Sequence, residues 1–366
     1  MNFAMLPVVI TLLCTDLFLL VVFLWMPVMG RNQALFGVAL TPDAYAGIGR
    51  KAVSRYRLSL IAIYVGINAA GALLGVMRGA LAYVIGAYLF SVFAGILLYA
   101  SYTRQMWPLR VRGGGSRFAM SLTTRRLADY TIIPLEVAIA LLTIAPVCAL
   151  IYAYPSLPAK IPVHWNGLGH PDRWANKSFW AVFFAPVLTA YLQLWFVMIK
   201  RDLVQAKLTI PAEQAEMFLR YKERGLEMNI RLVDWCRGTV SYLMAAISLL
   251  ILATNDRFRP LLPVITLSIW LAIALMMGGL GYLLYKMVKA NKELERLTGN
   301  PVPQRESEAA GWKNGLFYYN PDDPALMVEK LTGVGYTVNF GNKRVYLYVA
   351  FILGTIALSV WAIASL

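Results

Sequence analysis

Charged residues are scarce in this chain, and its few histidines and cysteines fit no standard metal or redox spacing. Asp, Glu, Lys and Arg make up 14% of the 366 residues, whereas apolar residues make up 59%. This composition excludes an ordinary soluble globular domain, in which roughly 25% of residues are charged. The 2 histidines and 3 cysteines match no zinc or haem signature, and no nucleotide or flavin motif is visible. We therefore expect no cofactor.

Long apolar runs of about 20 residues, the length that crosses a bilayer as a helix, dominate the chain. They fall at 4–27, 58–77, 80–100, 132–153, 179–199, 238–254, 261–286 and 345–365. Their continuous hydrophobicity predicts helices, because barrel strands would alternate in polarity. The predicted fold class is an all-α polytopic membrane protein, a bundle of about eight transmembrane helices with a small cytoplasmic α+β insert.

Positive charge is distributed unevenly between the loops. The loops after the first, third, fifth and seventh runs, together with Lys286 at the end of the seventh run, hold 28 of the 34 Lys and Arg residues. Because basic residues stay on the cytoplasmic side, we expect these loops to be cytoplasmic and both termini to lie outside. The net charge of +15 then reflects topology and contact with the lipid bilayer, not binding of nucleic acid.

The pattern divides the chain into five regions. They are a three-span region with basic cytoplasmic loops (1–131), a two-helix domain with an external loop at 155–177 (132–200), an amphipathic cytoplasmic helix plus two spans (201–286), a cytoplasmic linker and small α+β module (287–344), and a last span (345–366). Thr41 and Pro42 predict the start of a helix lying on the inner membrane surface. A second amphipathic helix is predicted from Pro211 to Trp235.

The module is predicted to contain a strand in "GLFYYN", a turn in "PDDP", a short helix in "PALMVEK" and a second strand in "YTVNF". Asp323 precedes Pro324, which is typical of a helix cap followed by the first helical residue. We therefore interpret the acidic pair Asp322 and Asp323 as structural in preference to a calcium site.

Acidic residues inside a membrane are costly and often functional. Asp16 lies near the middle of the first apolar run, and Glu136 follows Pro134 near the inner end of the fourth. Each is a candidate proton or cation site, or else a protonated acid that makes a hydrogen bond between helices. No basic residue is expected at the same depth, so the sequence predicts no buried ion pair.

The external loop concentrates ionisable and aromatic residues between prolines. Its candidate site residues are His164, Trp165, Asn166, Gly169, Pro171 and Asp172. Three functions are open for it: a zinc site formed by His164, His170 and Asp172, a sensor of external pH, or a recognition surface for an external partner. The alternative is a turn in which these side chains satisfy backbone groups.

Two segments resemble known families. "YPSLPAKIPVHWNGLGHPDRWANKS" resembles the hallmark of a bacterial membrane family that includes the SdpI-type immunity proteins, which protect cells against a membrane-active toxic peptide. "GWKNGLFYYNPDDPALMVEKLTGVGYTVNFGNKR" resembles a second small uncharacterised domain. The residues that carry this second motif are Asn320, Asp322, Asp323, Thr337 and Asn339. The resemblance implies a location in the bacterial cytoplasmic membrane.

Three hypotheses about function follow. The first is a non-enzymatic membrane protein of the SdpI-like class, whose external loop contacts a peptide or envelope signal, with a cytoplasmic regulator as a further possible partner. The second is a secondary transporter or channel that uses Asp16 and Glu136. The third is a metal-dependent membrane enzyme centred on His164, His170 and Asp172.

Overall fold

Long helices form most of the described residues in a computed structural model of the protein. The structure describes residues 6–29, 34–78, 82–110, 118–120, 125–165, 171–211, 215–298, 311–330 and 335–365. The helices are α1 (Leu6–Trp25), the short α2 (Pro42–Ala44), α3 (Arg50–Arg78), α4 (Ala82–Met106), α5 (Ile133–Ala153), α6 (Phe179–Val204), α7 (Ala215–Leu250), α8 (Leu262–Thr298) and α9 (Val345–Ser365).

These helices confirm the predicted fold class. Each of the eight predicted spans coincides with a long helix in the described residues. Six helical segments there are long and apolar enough to cross a membrane, and shorter apolar helices at Thr15–Val28 and Val345–Leu358 accompany them. The chain is therefore an all-α polytopic membrane protein.

The strands are short and occur in antiparallel pairs. They are β1 (Ala34–Leu35) with β2 (Val38–Ala39), β3 (Phe118–Met120) with β6 (Thr209–Pro211), β4 (Lys160–Trp165) with β5 (Pro171–Asn176), β7 (Trp312–Lys313) with β8 (Phe317–Tyr318), and β9 (Met327–Glu329) with β10 (Tyr336–Val338). The chain divides into two compact units. One comprises Met1–Leu122, Ala206–Gly225 and Lys286–Lys343, and the other Thr123–Gln205, Leu226–Tyr285 and Arg344–Leu366.

An aromatic cluster forms the core of the first unit. Phe36 stacks on Tyr102 with ring centroids 5.2 Å apart and meets Tyr56 edge-on, also at 5.2 Å. The Tyr56 hydroxyl donates to the Phe23 carbonyl oxygen at 3.1 Å, so the only polar atom of this buried side chain is satisfied. Helices α3 and α4 approach closely where a Cβ on Gly71 would lie only 2.2 Å from the Ala87 Cβ. Small residues permit such contacts between membrane helices.

Two predicted surface helices are instead extensions of membrane helices. The Thr41 hydroxyl caps α2, as predicted, by accepting from the Ala44 N–H at 3.3 Å. The helix then continues through a π-helical turn at Tyr45–Gly49 into α3, and Tyr56 is buried in the core. Residues predicted as a separate helix ending at Trp235 run on without a break to Leu250 in α7. Its 36 residues span about 54 Å, well beyond the roughly 30 Å of hydrocarbon.

The described part of the small module is built from strands. The predicted helix in "PALMVEK" is wrong, because Met327–Glu329 pairs with Tyr336–Val338. Asp323 therefore caps no helix, and its Oδ1 accepts from the Ala325 N–H at 3.0 Å within a turn. Helix-forming residue types yield here to pairing with a neighbouring strand.

Candidate functional site

The predicted external loop is an ordered β-hairpin in its described part. β4 and β5 pair antiparallel, with Ile161 opposite Ala175 and Pro162 opposite Trp174. The register shifts around His164, which lies opposite Arg173, and the pairing ends with Trp165 opposite Pro171. Such bulges twist a strand locally and redirect its side chains. Asn166, Gly169 and His170 lie outside the described residues.

One ionisable pair crosses the hairpin near its tip. His164 Nδ1 lies 2.5 Å from Asp172 Oδ1, and the two side chains are 61% and 45% exposed. Trp174 is exposed on the same strand as Asp172, whereas Trp165 is half-buried. The hairpin thus presents an imidazole, a carboxylate and an indole on two paired strands.

The base of the hairpin is fixed by apolar contacts and by Lys177. Ile161 and Leu157 are buried in a cluster with Val182 of α6. The Lys177 ammonium donates to the carbonyl oxygens of Leu157 at 3.0 Å and Tyr154 at 3.4 Å, which satisfies carbonyls at the end of a short 3-10 turn. Lys177 therefore stabilises the base of the hairpin.

The metal hypothesis for this loop stays a prediction. Among the described residues, no group of three or more His, Cys, Asp and Glu side chains comes together. His164 and Asp172 do meet, but the third proposed ligand, His170, belongs to the part of the loop that the structure does not describe. Two ligands alone are fewer than a structural or catalytic zinc site uses.

Asp16 is buried in the first unit at a contact between three helices. Its Oδ2 accepts from Asn68 Nδ2 of α3 at 2.6 Å, and its Oδ1 lies 2.9 Å from Ser91 Oγ of α4. The side chain is only 6% exposed. Both partners are neutral, so this acid takes part in a hydrogen-bonded contact between helices, and its role as a proton or cation site stays a prediction.

Glu136 belongs to a buried charge cluster in the second unit, which comprises Glu136, Lys200, Asp234 and Arg237. Arg237 binds both Glu136 oxygens at 2.7 Å in a bidentate pair. Lys200 contacts both Asp234 oxygens at 2.8 and 3.0 Å and lies 3.8 Å from Glu136 Oε1. Arg237 also reaches Asp234 at 3.3 Å, which closes the cluster.

Most of this cluster is buried, and uncharged side chains form hydrogen bonds with it. Lys200, Asp234 and Arg237 are each no more than 3% exposed, whereas the Glu136 side chain is 33% exposed. Gln193 Oε1 accepts from Arg237 Nε at 3.2 Å, and its amide nitrogen donates to Ser241 Oγ at 2.9 Å. Buried charges are tolerated when each is paired and hydrogen-bonded, so these contacts fix helices α5, α6 and α7 to one another.

The expectation that Glu136 has no basic partner is wrong. Lys200 and Arg237 lie just outside the predicted apolar runs, but α6 extends to Val204 and α7 begins at Ala215. Helix therefore continues past the edges of the apolar sequence and brings both cations to Glu136. The three-residue spacing of Asp234 and Arg237, which places them on one helix face, was the signal available in the sequence.

Another buried acid, Asp202, anchors the last helix and was not identified in the sequence analysis. Asp202 near the end of α6 accepts from Arg344 Nη2 at 2.8 Å and from the Tyr348 hydroxyl at 2.7 Å. Asp202 is 5% exposed, and Tyr348 lies in the first turn of α9. The pairing of an acid with an arginine and a phenol fixes α9 against α6.

The motif residues of the small module form its scaffold. Asn339 is fully buried and donates to the carbonyl oxygens of Asn320, Asp323 and Ala325 at 2.8–3.2 Å. Asp323 Oδ2 accepts from the Tyr318 hydroxyl at 2.9 Å and lies 3.4 Å from the Lys207 ammonium. A Cβ on Gly341 would lie 2.5 Å from the Asn320 carbonyl carbon, so only glycine fits there.

The remaining motif residues, Asp322 and Thr337, are more exposed to solvent than Asn339. Asp322 is exposed, and its backbone N–H donates to Asn320 Oδ1 at 3.0 Å. Thr337 is half-buried in β10, opposite Val328 of β9. Both positions fit a structural role in a turn and a strand pair, and neither contributes to a cluster that could hold a metal ion within the described residues.

Comparisons with protein families match two segments of the chain. A domain of unknown function (DUF1648) matches residues 141–190, which contain the hairpin and the adjoining parts of α5 and α6. A family of unknown function (DUF5808) matches residues 321–346, within which Asn339 lies. Neither the curated proteins nor the solved structures gave a match. The findings are consistent with an uncharacterised multi-pass membrane family.

Proposed function

We propose that this membrane protein is non-enzymatic and that its β4–β5 hairpin, on the outer face of the membrane, contacts a membrane-active peptide or a related envelope signal. The observation that carries the proposal is the hairpin itself, a rigid segment with the exposed His164–Asp172 pair on a base fixed by Ile161 and Lys177. A preorganised surface loses less conformational entropy on binding than a flexible loop does.

The exposed side chains suit a peptide at a membrane surface. Trp174 is 52% exposed in the hairpin, and Phe179 and Trp180 are exposed at the adjoining start of α6. Aromatic residues favour the boundary between lipid and water, where amphipathic peptides also bind. The ionisable pair beside them offers hydrogen bonds and charge to the polar face of such a peptide.

The resemblance of this segment to SdpI-type immunity proteins supports the same proposal. Those proteins protect cells against a membrane-active toxic peptide, and the resemblance is carried by residues that include Pro162, His164 and Asp172. In this chain these residues lie in the two strands of the hairpin. Immunity or stress sensing at the hairpin is accordingly the function that we propose.

A challenge with a cationic amphipathic peptide tests the proposal. Deletion of the gene should lower the minimal inhibitory concentration of the peptide, and the wild-type gene should restore it. His164→Ala and Asp172→Asn should fail to restore it at equal expression, because each removes the pair across the hairpin.

Asp256→Asn is the matched control for this test. Asp256 lies in the loop between α7 and α8 and is 97% exposed, so it changes a surface charge without touching the hairpin. This variant should protect as well as the wild type. Unchanged sensitivity in both the deletion strain and the His164→Ala strain would exclude the proposed function.

A proton-coupled transporter or channel is the second candidate, favoured by the burial of Asp16. The Tyr64 hydroxyl is also buried in this unit and has no hydrogen-bond partner within the described residues. Buried acids between membrane helices often mark ion pathways. A pH gradient across proteoliposomes that decays faster with the wild type than with Asp16→Asn would support this candidate, and equal decay would remove Asp16 from it.

A further inference from the structure

A groove beside α3 in the first unit combines positive charge with apolar surface. Its volume is about 440 Å³, within the range of about 300–1,000 Å³ typical of small-molecule sites. Along α3 it is lined by Arg50, Val53, Ser54 and Arg57 and then by Leu58 and Ile61, and the remaining lining residues are Val28, Leu35 and Tyr45. The positive charges of the groove therefore lie on the first two turns of α3, and apolar side chains follow them along the helix.

These groups follow one face of a helix that crosses the membrane. Residues 50, 54, 57 and 61 are spaced by four, three and four positions, which is the repeat of a single helix face. Leu58 and Ile61 are 67% and 42% exposed, so they contact acyl chains in a bilayer. Arg50 and Arg57 are separated by about 10 Å along the helix axis, so their side chains must extend toward each other to bind one phosphate.

The basic end of the groove is prepared for a phosphate. Arg57 Nε donates to the Leu24 carbonyl oxygen at 3.2 Å, which fixes the guanidinium and leaves its two Nη groups for an anion. The planar donors of arginine match a phosphate group better than an ammonium does. Among the described residues that line the groove, none is acidic.

We propose that this groove binds one anionic phospholipid, with its phosphate at Arg50 and Arg57 and an acyl chain along Leu58 and Ile61. A free phosphate or phosphorylated metabolite would use only the basic end. A phospholipid supplies a phosphate for the arginines and an acyl chain for Leu58 and Ile61 in one molecule. Basic pockets beside membrane helices bind anionic headgroups for the same reason.

Native mass spectrometry of the full-length protein, released from detergent, tests the proposal. Phosphatidylglycerol is titrated against the wild type and against the double variant Arg50→Gln with Arg57→Gln. The first bound lipid should bind about tenfold more weakly or worse to the double variant, because two charges near the headgroup are lost. Arg50→Gln alone, which removes none of the hydrogen bonds that fix α3 to α1, should give a smaller loss and covers the case in which the double variant does not fold.

Lys51→Gln with Arg55→Gln is the matched control. Both residues are exposed on α3 and neither lines the groove, so this variant loses the same charge elsewhere on the helix. It should bind phosphatidylglycerol like the wild type. Phosphatidylcholine should bind weakly, and glycerol phosphate at equal concentration should not compete. The proposal is overturned by wild-type affinity in the Arg50 and Arg57 variants, by an equal loss in the control, or by competition from glycerol phosphate.

Discussion

Asp16 and Glu136 are acids in two different membrane helices, and neutral donors hold the first whereas cations hold the second. Asp16 contacts the amide of Asn68 and the hydroxyl of Ser91. Glu136 forms a bidentate pair with Arg237 and lies 3.8 Å from Lys200. Glu136 lies in the first turn of α5, where Lys200 near the end of α6 and Arg237 of α7 supply positive charge, whereas Asp16 lies in the middle of α1. Position along the helix thus decides which kind of partner is available.

The two sites should therefore respond differently to loss of charge. An ion pair in a dry environment is stable only while it is complete, because one removed partner leaves a buried charge behind. A hydrogen-bonded neutral acid can be replaced by a neutral group of similar shape at small cost. The following predictions measure this difference as a change in the free energy of unfolding in detergent.

The largest effect is expected for Arg237→Met. This change leaves Glu136 without its bidentate partner and Asp234 with one cation fewer, so the free energy of unfolding should fall by about 3–5 kcal/mol. Arg220→Met is the control in the same helix, because the Arg220 side chain is 78% exposed and pairs with an exposed glutamate. Equal effects of the two substitutions would show that the buried cluster stabilises the protein no more than an exposed ion pair does.

The coupling free energy between Glu136 and Arg237, measured in a double-mutant cycle, is expected to be smaller than the loss for Arg237→Met. Glu136→Gln and Arg237→Gln should each destabilise the protein, and the double variant should be more stable than the sum of the two losses predicts. The coupling free energy from this cycle should be about 0.5–3 kcal/mol, as for residues in direct contact. Strict additivity would contradict the ion pair.

The smallest effect is expected for Asp16→Asn. Ser91 Oγ has one hydrogen but lies 2.9 Å from Asp16 Oδ1 and 2.8 Å from the Tyr88 carbonyl oxygen. Both contacts are satisfied together if Asp16 carries a proton and donates it to Ser91. Asparagine can reproduce this arrangement, so the loss should stay under about 1 kcal/mol, whereas Asp16→Leu should cost about 1–3 kcal/mol. A large loss with asparagine would indicate an ionised Asp16.

Hydropathy predicted the helices but not the polar contacts between them. The apolar runs identified the eight long helices of the described residues because a bilayer requires about 20 apolar residues for each crossing. The ends of the helices were missed, since α6 and α7 continue as helix through polar residues. Lys200 and Arg237 lie in those extensions, and for this reason the charge cluster was not predicted.

Local sequence was also a poor guide where long-range contacts decide the structure. The cap at Thr41 depends on residues three positions apart and was predicted correctly. The strand at Met327–Glu329 depends on Tyr336–Val338 and on the buried Asn339, which no local pattern reveals. In the hairpin, the bulged register that places His164 opposite Arg173 was not predicted.

We propose that the β4–β5 hairpin carries the function, whereas the buried acids hold the helices together. A survival assay with His164→Ala and Asp16→Asn, expressed at equal levels in the deletion strain and challenged with the same cationic peptide, tests it most directly. Asp16→Asn should protect the cells like the wild type, and His164→Ala should not. Protection by His164→Ala together with failure of Asp16→Asn would contradict the claim and favour transport through the site of Asp16.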